Sequence, residues 1–341
     1  MRVLAWPIRS PTNPYTPLLY SNLGSSVRAD EFSPGKVLER YSVWHVHWPE
    51  ALLNIRNRLH AASKVAGFFT ALDCLRIRGA KVVWTIHNCS THEKLYPTLE
   101  AWFWRRFIPR IDGIISLSQA GLLSALDCFP ALQEIPKTVI PHGHYRSEYP
   151  SVNGGARKML GIAPEAKMLL FMGAVRAYKN VERLVRVFRE ITADDALLHV
   201  VGSPNTTRLA QNILQEASLD DRVSVLFEFL EPEAMSAHVS AADLVVLPYR
   251  GILNSGSALL ALSLNRPILV PDLGAMGELK ADFGDTWVRT FPGELDKTIL
   301  EKALNWALEP RPARCQMPEK YEWHSIGRET VRFYERIVSG S

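Results

Sequence analysis

No run of about 20 apolar residues occurs in the sequence, so no segment reads as a membrane-spanning helix. Cysteine is scarce. The four (Cys74, Cys89, Cys128, Cys315) are scattered and form no Cys-x-x-Cys pair, which favours reduced thiols over a disulfide frame or a zinc knuckle. The dinucleotide fingerprint Gly-x-Gly-x-x-Gly is missing after the first apolar strand, and no Gly-x-x-x-x-Gly-Lys-Ser/Thr phosphate loop occurs; both absences argue against a nicotinamide enzyme or an NTPase. No Asp-x-Asp pair is present to hold a metal on a diphosphate. The opening Met1–Pro7 is too short and too soon broken for a signal peptide and reads as a buried strand, pointing to a cytoplasmic protein. No nucleic-acid motif accompanies the basic residues.

What is present is an α/β pattern repeated twice. Short Val/Ile/Leu-rich runs alternate with helical stretches, the signature of parallel strands wound by helices. In the first half the runs are Val3–Trp6, Val43–Val46, Val82–Ile86, Gly113–Leu117 and Thr138–Ile140. The pattern restarts with Met168–Met172, Leu197–Val201, Val223–Phe227, Leu244–Leu247 and Ile268–Val270. The Pro/Gly/Ser-rich stretch Tyr149–Gly155 reads as a linker. Two Rossmann-like domains are therefore expected, at 1–150 and 151–320. Charge divides along the same line: residues 1–150 hold 17 Lys+Arg against 11 Asp+Glu, and the remainder 22 against 24. A basic first half suits a phosphate-bearing or anionic-membrane partner, or is simply a solvated face.

The chemistry concentrates at strand ends. Met168–Met172 runs into Gly173-Ala174-Val175-Arg176-Ala177-Tyr178-Lys179, a glycine turn with two cations three residues apart, before an amphipathic helix. Gly173 admits close backbone approach, Arg176 can fork two phosphate oxygens, and Lys179 adds a point charge. Cations at a helix start are unfavourable unless an anion sits there. A second loop, Tyr249-Arg250-Gly251-Ile252-Leu253-Asn254-Ser255-Gly256-Ser257, leads from a strand into a helix and can bind an anion through backbone N–H groups and hydroxyls. Ser255 and Ser257 serve equally as plain N-caps.

In the first half Trp84-Thr85-Ile86-His87-Asn88 closes a strand and is followed by His92-Glu93. Either of the last two can act as a base on an acceptor hydroxyl, or His92 can be a structural histidine. His45/His47 and His142/His144 alternate but offer no helical Glu-x-x-His pair, so no metal site is expected. The aromatic and basic segment Ala101–Arg110 either touches an anionic membrane or is a buried helix with a basic outer edge, the second reading being the simpler.

These residues resemble the retaining GT-B glycosyltransferases that include the phosphatidylinositol mannosyltransferases: Gly-x-x-Arg with a Lys beyond it, Val201-Gly202, and Ala241–Pro248. His142-Gly143-His144-Tyr145, Tyr249-Arg250 with Asn254-Ser255-Gly256, and Tyr321–Ile326 resemble bacterial exopolysaccharide transferases of the xanthan mannosyltransferase type. The resemblance implies two Rossmann-like domains with a crevice between them and a C-terminal helix, 321–341, crossing back to the first. It implies a nucleotide diphosphate sugar, GDP-mannose among the candidates, donating a hexose to a glycan or lipid-linked acceptor, with peripheral membrane contact, no metal and no cofactor. Arg176, Lys179, Gly173 and Asn254–Ser257 would hold the diphosphate, with Tyr249, Arg250, His142, His144 and Asn13 nearby. His87 would meet the donor sugar, and Glu93 or His92 would serve as base. The sequence departs from the larger family where two Glu are usual: Ile252 and Leu260 stand there, leaving Glu278 either as a substitute for ribose contact or as a simple helix cap. That loss leaves stereochemistry open between inversion and retention. It also keeps a nucleotide-sugar epimerase or hydrolase, and an inactive nucleotide-sugar-binding protein, as alternatives.

Overall fold

A computed structural model describes residues 1–10, 13–91, 94–152 and 154–340. The chain forms two compact units: Met1–Gly143 with Glu319–Ser341, and His144–Pro318. The boundary falls ahead of the Tyr149–Gly155 stretch because Tyr145 and Arg146 are already tied into the second unit. The Tyr145 N–H donates to Ser263 Oγ at 3.0 Å, and Arg146 Nε donates to the Ser263 carbonyl at 3.2 Å. At the other end the return begins at Glu319, just before the expected Tyr321.

The first unit is built on a parallel six-stranded sheet in the order β2-β1-β3-β4-β5-β6. Its strands are β1 (Arg2–Trp6), β2 (Arg28–Glu31), β3 (Val43–His47), β4 (Lys81–Ile86), β5 (Gly113–Ser116) and β6 (Lys137–Val139). Alternation along each strand divides two cores. Leu4, Trp44, Val46, Val82, Trp84 and Ile114 face α2 (Arg58–Ile77), α3 (Pro97–Phe107) and α4 (Gln119–Cys128). Val3, Val43, Val83 and Ile115 face the other way, towards α1 (Tyr15–Ser21) and α12 (Trp323–Ser339). Helix α12 lies so close that a Cβ on Gly113 would stand 2.8 Å from Ile337 Cδ1. On α3, Phe103, Trp104 and Phe107 are buried while Arg105 and Arg106 are exposed, as a core helix with a basic edge requires.

The second unit carries β7 (Lys167–Met172), β8 (Ala196–Val201), β9 (Val223–Leu226), β10 (Leu244–Val246), β11 (Ile268–Pro271) and β12 (Val288–Phe291). Their order, β12-β11-β10-β7-β8-β9, reverses direction between β7 and β10. In open α/β sheets ligands bind beyond the carboxyl ends of the strands at such a reversal. The helices are α5 (Ala156–Met159), α6 (Val181–Glu190), α7 (Thr207–Ala217), α8 (Pro232–Ala241), α9 (Gly256–Ser263), α10 (Met276–Phe283) and α11 (Lys297–Ala307). Asp243, at the opposite end of β10 from the site below, is structural. It takes the Arg157 guanidinium at 2.6 Å and the Met168 N–H at 2.8 Å.

Candidate active site

In the second unit the loops after β7, β8 and β10 converge at the sheet's reversal. Gly173 leaves β7 at φ +105°, where L side chains are strained, and a Cβ there would stand 2.7 Å from Ser257 Oγ and 3.4 Å from Lys179 Nζ. Gly202, ending β8, packs against the Gly173 carbonyl, 2.1 Å from where its own Cβ would be. Three loops thus meet with no room for side chains, which brings the backbone itself to any ligand.

Lys179 lies in the 3-10 turn Ala177–Lys179 and is 8% exposed. Its Nζ sits 5.4 Å from the Tyr249 ring centroid, and no carboxylate among the described residues lies within ion-pair distance of it. Burial lowers the ammonium below its usual range, and the Arg176 charge pushes the same way. Arg176 donates to the carbonyls of Val175 at 2.9 Å and Ser203 at 3.2 Å, which fixes the guanidinium without neutralising it. Two neighbouring cations, one buried, make a site that an anion completes.

Helix α9 supplies the rest. Ser255 Oγ accepts from the Ala258 N–H at 3.1 Å, so it is an N-cap. The Gly256 and Ser257 N–H groups precede the first intrahelical bond and remain as donors. Asn254 Nδ2 is buried without a hydrogen-bond partner among the described residues. Burial pushes the Tyr249 phenol up to about 12, against the pull of Ser255 and Ser257, so it stays a protonated donor. The structure therefore brings Gly173, Arg176, Lys179, Tyr249 and Asn254–Ser257 together.

Other expected residues are placed differently. Arg250 is exposed and paired with Glu294 at 3.1 Å, on the rim of a pocket of ≈ 340 Å³ that Asp272 and Phe291 also line. Glu278 sits in the first turn of α10, whose preceding loop packs on the β10–α9 loop through Ala275 N–H to Leu253 O at 3.2 Å. Leu260, where the family has a Glu, is buried. His142 and His144 fall in different units: His144 Nδ1 accepts from the Arg146 N–H at 3.2 Å, while His142 packs against Tyr15 in the first. Asn13 Oδ1 accepts from the Tyr15 N–H at 3.0 Å, so this side chain orders the start of α1.

In the first unit His45 and His47 share one face of β3, two residues apart. His47 Nδ1 is 3.1 Å from His87 Nε2, just beyond the end of β4, and Trp48 stacks on the His87 ring at 4.1 Å. Burial holds His45 down at about 3 and His142 at about 4, and keeps His47 and His87 well below the usual imidazole range; all four are neutral. His92 and Glu93 lie outside the described residues. The loop that leads to them is anchored twice: Asn88 Nδ2 donates to Glu50 Oε1 at 2.8 Å, and Thr91 N–H to Glu100 at 2.7 Å. Glu50 was not signalled by the sequence. It is 4% exposed, its Oε2 has no partner among the described residues, and burial raises its carboxyl to about 7. Among the described residues no group of three or more His, Cys, Asp or Glu is arranged to hold a metal ion.

Residues 166–306 match the family described as "Glycosyl transferases group 1". The chain is 32% identical over 325 residues to the GDP-mannose:glycolipid 4-beta-D-mannosyltransferase of Xanthomonas campestris pv. campestris, covering 95% of this chain and 88% of that protein. Among solved structures it is similar to sucrose-phosphate synthase from Thermosynechococcus elongatus (TM-score 0.66, 16% identity, 99% and 96% of the two chains). HepE of Anabaena in complex with UDP-glucose aligns at TM-score 0.65 with 14% identity, over 99% of this chain and 98% of that one. Likeness at such identities establishes a shared fold.

Proposed function

The chain belongs to the group 1 glycosyl transferases, and from that premise we propose that it carries mannose from GDP-mannose to a lipid-linked glycan during exopolysaccharide synthesis. It is a glycosyltransferase of the GT-B fold that uses a nucleotide sugar. The observation that carries the reading is Lys179: a buried ammonium, without a carboxylate partner among the described residues, beside the start of α9 and an unpaired Asn254 amide. A leaving diphosphate fits that demand. As the bond from the sugar's C1 to phosphate breaks, negative charge grows on the phosphate oxygens, and Lys179, Arg176 and the Gly256 and Ser257 N–H groups stabilise it in place. These groups do the work a metal ion would otherwise do.

The relative's printed name specifies a β-linked product. GDP-mannose holds its sugar in the α configuration, so the same outcome here means inversion. A base must then remove the acceptor proton on the face opposite the leaving group. Glu93 is that base in this reading, and His87 meets the donor sugar. Trp102, Arg105 and Arg106 on α3 are the exposed aromatic and basic groups through which the first unit would rest on an anionic membrane carrying the acceptor.

The test is a screen of GDP-, UDP- and dTDP-sugars with a glycolipid acceptor, with product configuration read by NMR. Transfer from GDP-mannose to a β-mannoside, lowered about 10²–10⁴-fold in Glu93→Gln with donor affinity retained, is the expected result. Activity confined to another nucleotide, or sugar release without transfer, overturns the assignment. A retained product removes the need for Glu93 as base.

A further inference from the structure

Five side chains from four separate elements form one continuous hydrogen-bonded chain behind His87. Tyr334 of α12 lies with its hydroxyl 2.6 Å from His45 Nδ1, and the Tyr20 hydroxyl of α1 is 2.9 Å from the same nitrogen. His45 Nε2 is 2.7 Å from Thr85 Oγ1. Tyr20 also reaches His47 Nε2 at 2.8 Å, and His47 Nδ1 reaches His87 Nε2 at 3.1 Å. We propose that this chain is a positioning device that fixes the tautomer of His87, placing its proton on Nδ1 so that the ring offers a hydrogen-bond donor to an oxygen of the sugar donor. The proposal deepens the reading above and rests on it for the identity of that oxygen's owner.

The direction follows from proton counting. Each neutral imidazole has one donor and one acceptor nitrogen, and each phenol has one proton. The 2.6 Å contact is the shortest of the set and has the length of an O–H donor bond, so Tyr334 donates and His45 Nδ1 accepts. The His45 proton is then on Nε2 and goes to Thr85. With the Nδ1 lone pair taken, the Tyr20 proton can go to the Tyr334 oxygen or to His47 Nε2, and the imidazole nitrogen, the stronger acceptor and 2.8 Å away, takes it. The proton of His47 is therefore on Nδ1 and points at His87 Nε2. That leaves the His87 proton on Nδ1, an atom with no partner among the described residues. Imidazole in water prefers the other tautomer, so the protein imposes this one. Burial keeps His45, His47 and His87 uncharged, as the count requires. A ring so held donates to a sugar or phosphate oxygen and is a poor proton acceptor, which leaves base catalysis to another group.

The experiment is long-range ¹H–¹⁵N NMR of histidine-labelled protein at neutral pH without ligand, with His87 assigned by the signal lost in His87→Gln. The proposal expects the Nδ1–H pattern for His87, and its reversal to Nε2–H in Tyr334→Phe, where Tyr20 is freed to donate to His45. Tyr20→Phe, which breaks the chain at a different element, should give a mixture of tautomers and a several-fold rise in the KM for GDP-mannose with a smaller change in kcat. An Nε2–H tautomer or an imidazolium in the wild-type protein overturns the proposal without recourse to any variant. Titration with GDP-mannose separates the two claims. If the tautomer is as stated but its Nδ1–H resonance does not move with the donor, the chain stands and the contact with the donor sugar falls.

Discussion

The Lys179 ammonium lies 5.4 Å from the centre of the Tyr249 ring, and no carboxylate among the described residues lies within ion-pair distance of it. A buried charge in that condition costs the ligand-free protein stability and gains it back when an anion arrives. Function and stability should therefore separate on substitution. Lys179→Met keeps the length of the stem and removes the charge. Turnover should drop by roughly 2–4 kcal/mol of transition-state stabilisation, while the melting temperature of the ligand-free protein stays level or rises. Saturating GDP should raise the melting temperature of the wild type far more than that of the variant. Wild-type turnover in Lys179→Met would remove the diphosphate from this loop.

Metal dependence is the second point of attack. If Lys179, Arg176 and the start of α9 hold the leaving diphosphate, transfer should persist through exhaustive chelation. Loss of activity in EDTA, restored by Mg²⁺ or Mn²⁺, would show that these groups do not suffice.

The buried histidines set an acid limit on the first unit. His45 falls from 6.5 to about 3 and His142 from 6.5 to about 4, with His47 and His87 lowered as well, all chiefly by burial. The unfolded chain binds protons to these rings from pH 6.5 downward, whereas the folded one does not. Their contribution is thus whole above pH 6.5 and drains away as pH falls towards 4 and 3, at up to about 1.4 kcal/mol per unit for each ring. Denaturant midpoints measured from pH 7.5 to 4.5 should fall steeply, and His142→Gln should lessen the slope.

Glu50 acts with the opposite sign. Burial raises its carboxyl from 4.5 to about 7, so its protonated form is favoured in the folded state. That preference is fully present below pH 4.5 and is lost as pH rises through 7, where a buried carboxylate must form. Glu50→Gln retains an acceptor for Asn88 and cannot ionise. It should be more stable than the wild type at pH 8 by up to about 3 kcal/mol and indistinguishable near pH 4.5. Equal stabilities at pH 8 would mean that the carboxylate is stabilised by groups other than Asn88.

The interior strands could be read from composition because both faces are buried and the runs are continuously apolar. Two edge strands could not. β2 reads Arg28-Ala29-Asp30-Glu31, half-solvated and charged, and β12 carries the exposed Arg289. The loops that meet at the reversal of the second sheet were legible for a related reason: Gly173, Arg176 and Lys179 lie close together in sequence, and the reversal of the sheet does the rest. The chain behind His87 was not. Its contact between Tyr334 and His45 joins residues 289 apart, and neither tyrosine carries a local signal. Asn13 and Arg250 illustrate the reverse difficulty. Each has chemistry suited to a ligand, and each is engaged by a neighbour, the Tyr15 N–H and Glu294, that only the folded chain brings near.

Helix α12 belongs to the first unit, yet its residues follow the whole of the second. On the ribosome this fixes a timetable. The His144–Pro318 unit has all its strands and helices in hand before Trp323–Ser339 is made, so it can fold as a closed insert. The first unit must wait with Val3, Val43, Val83 and Ile115 only partly covered, by Tyr15 and Leu19 of α1, until Phe333, Tyr334 and Ile337 arrive. His45 acquires Tyr334 at the same moment. Completion of the core and completion of the hydrogen-bonded chain behind His87 are one event, so a nascent chain can stay half folded for roughly 10–40 s of synthesis, or longer when stalled, without yet holding a finished chain of contacts.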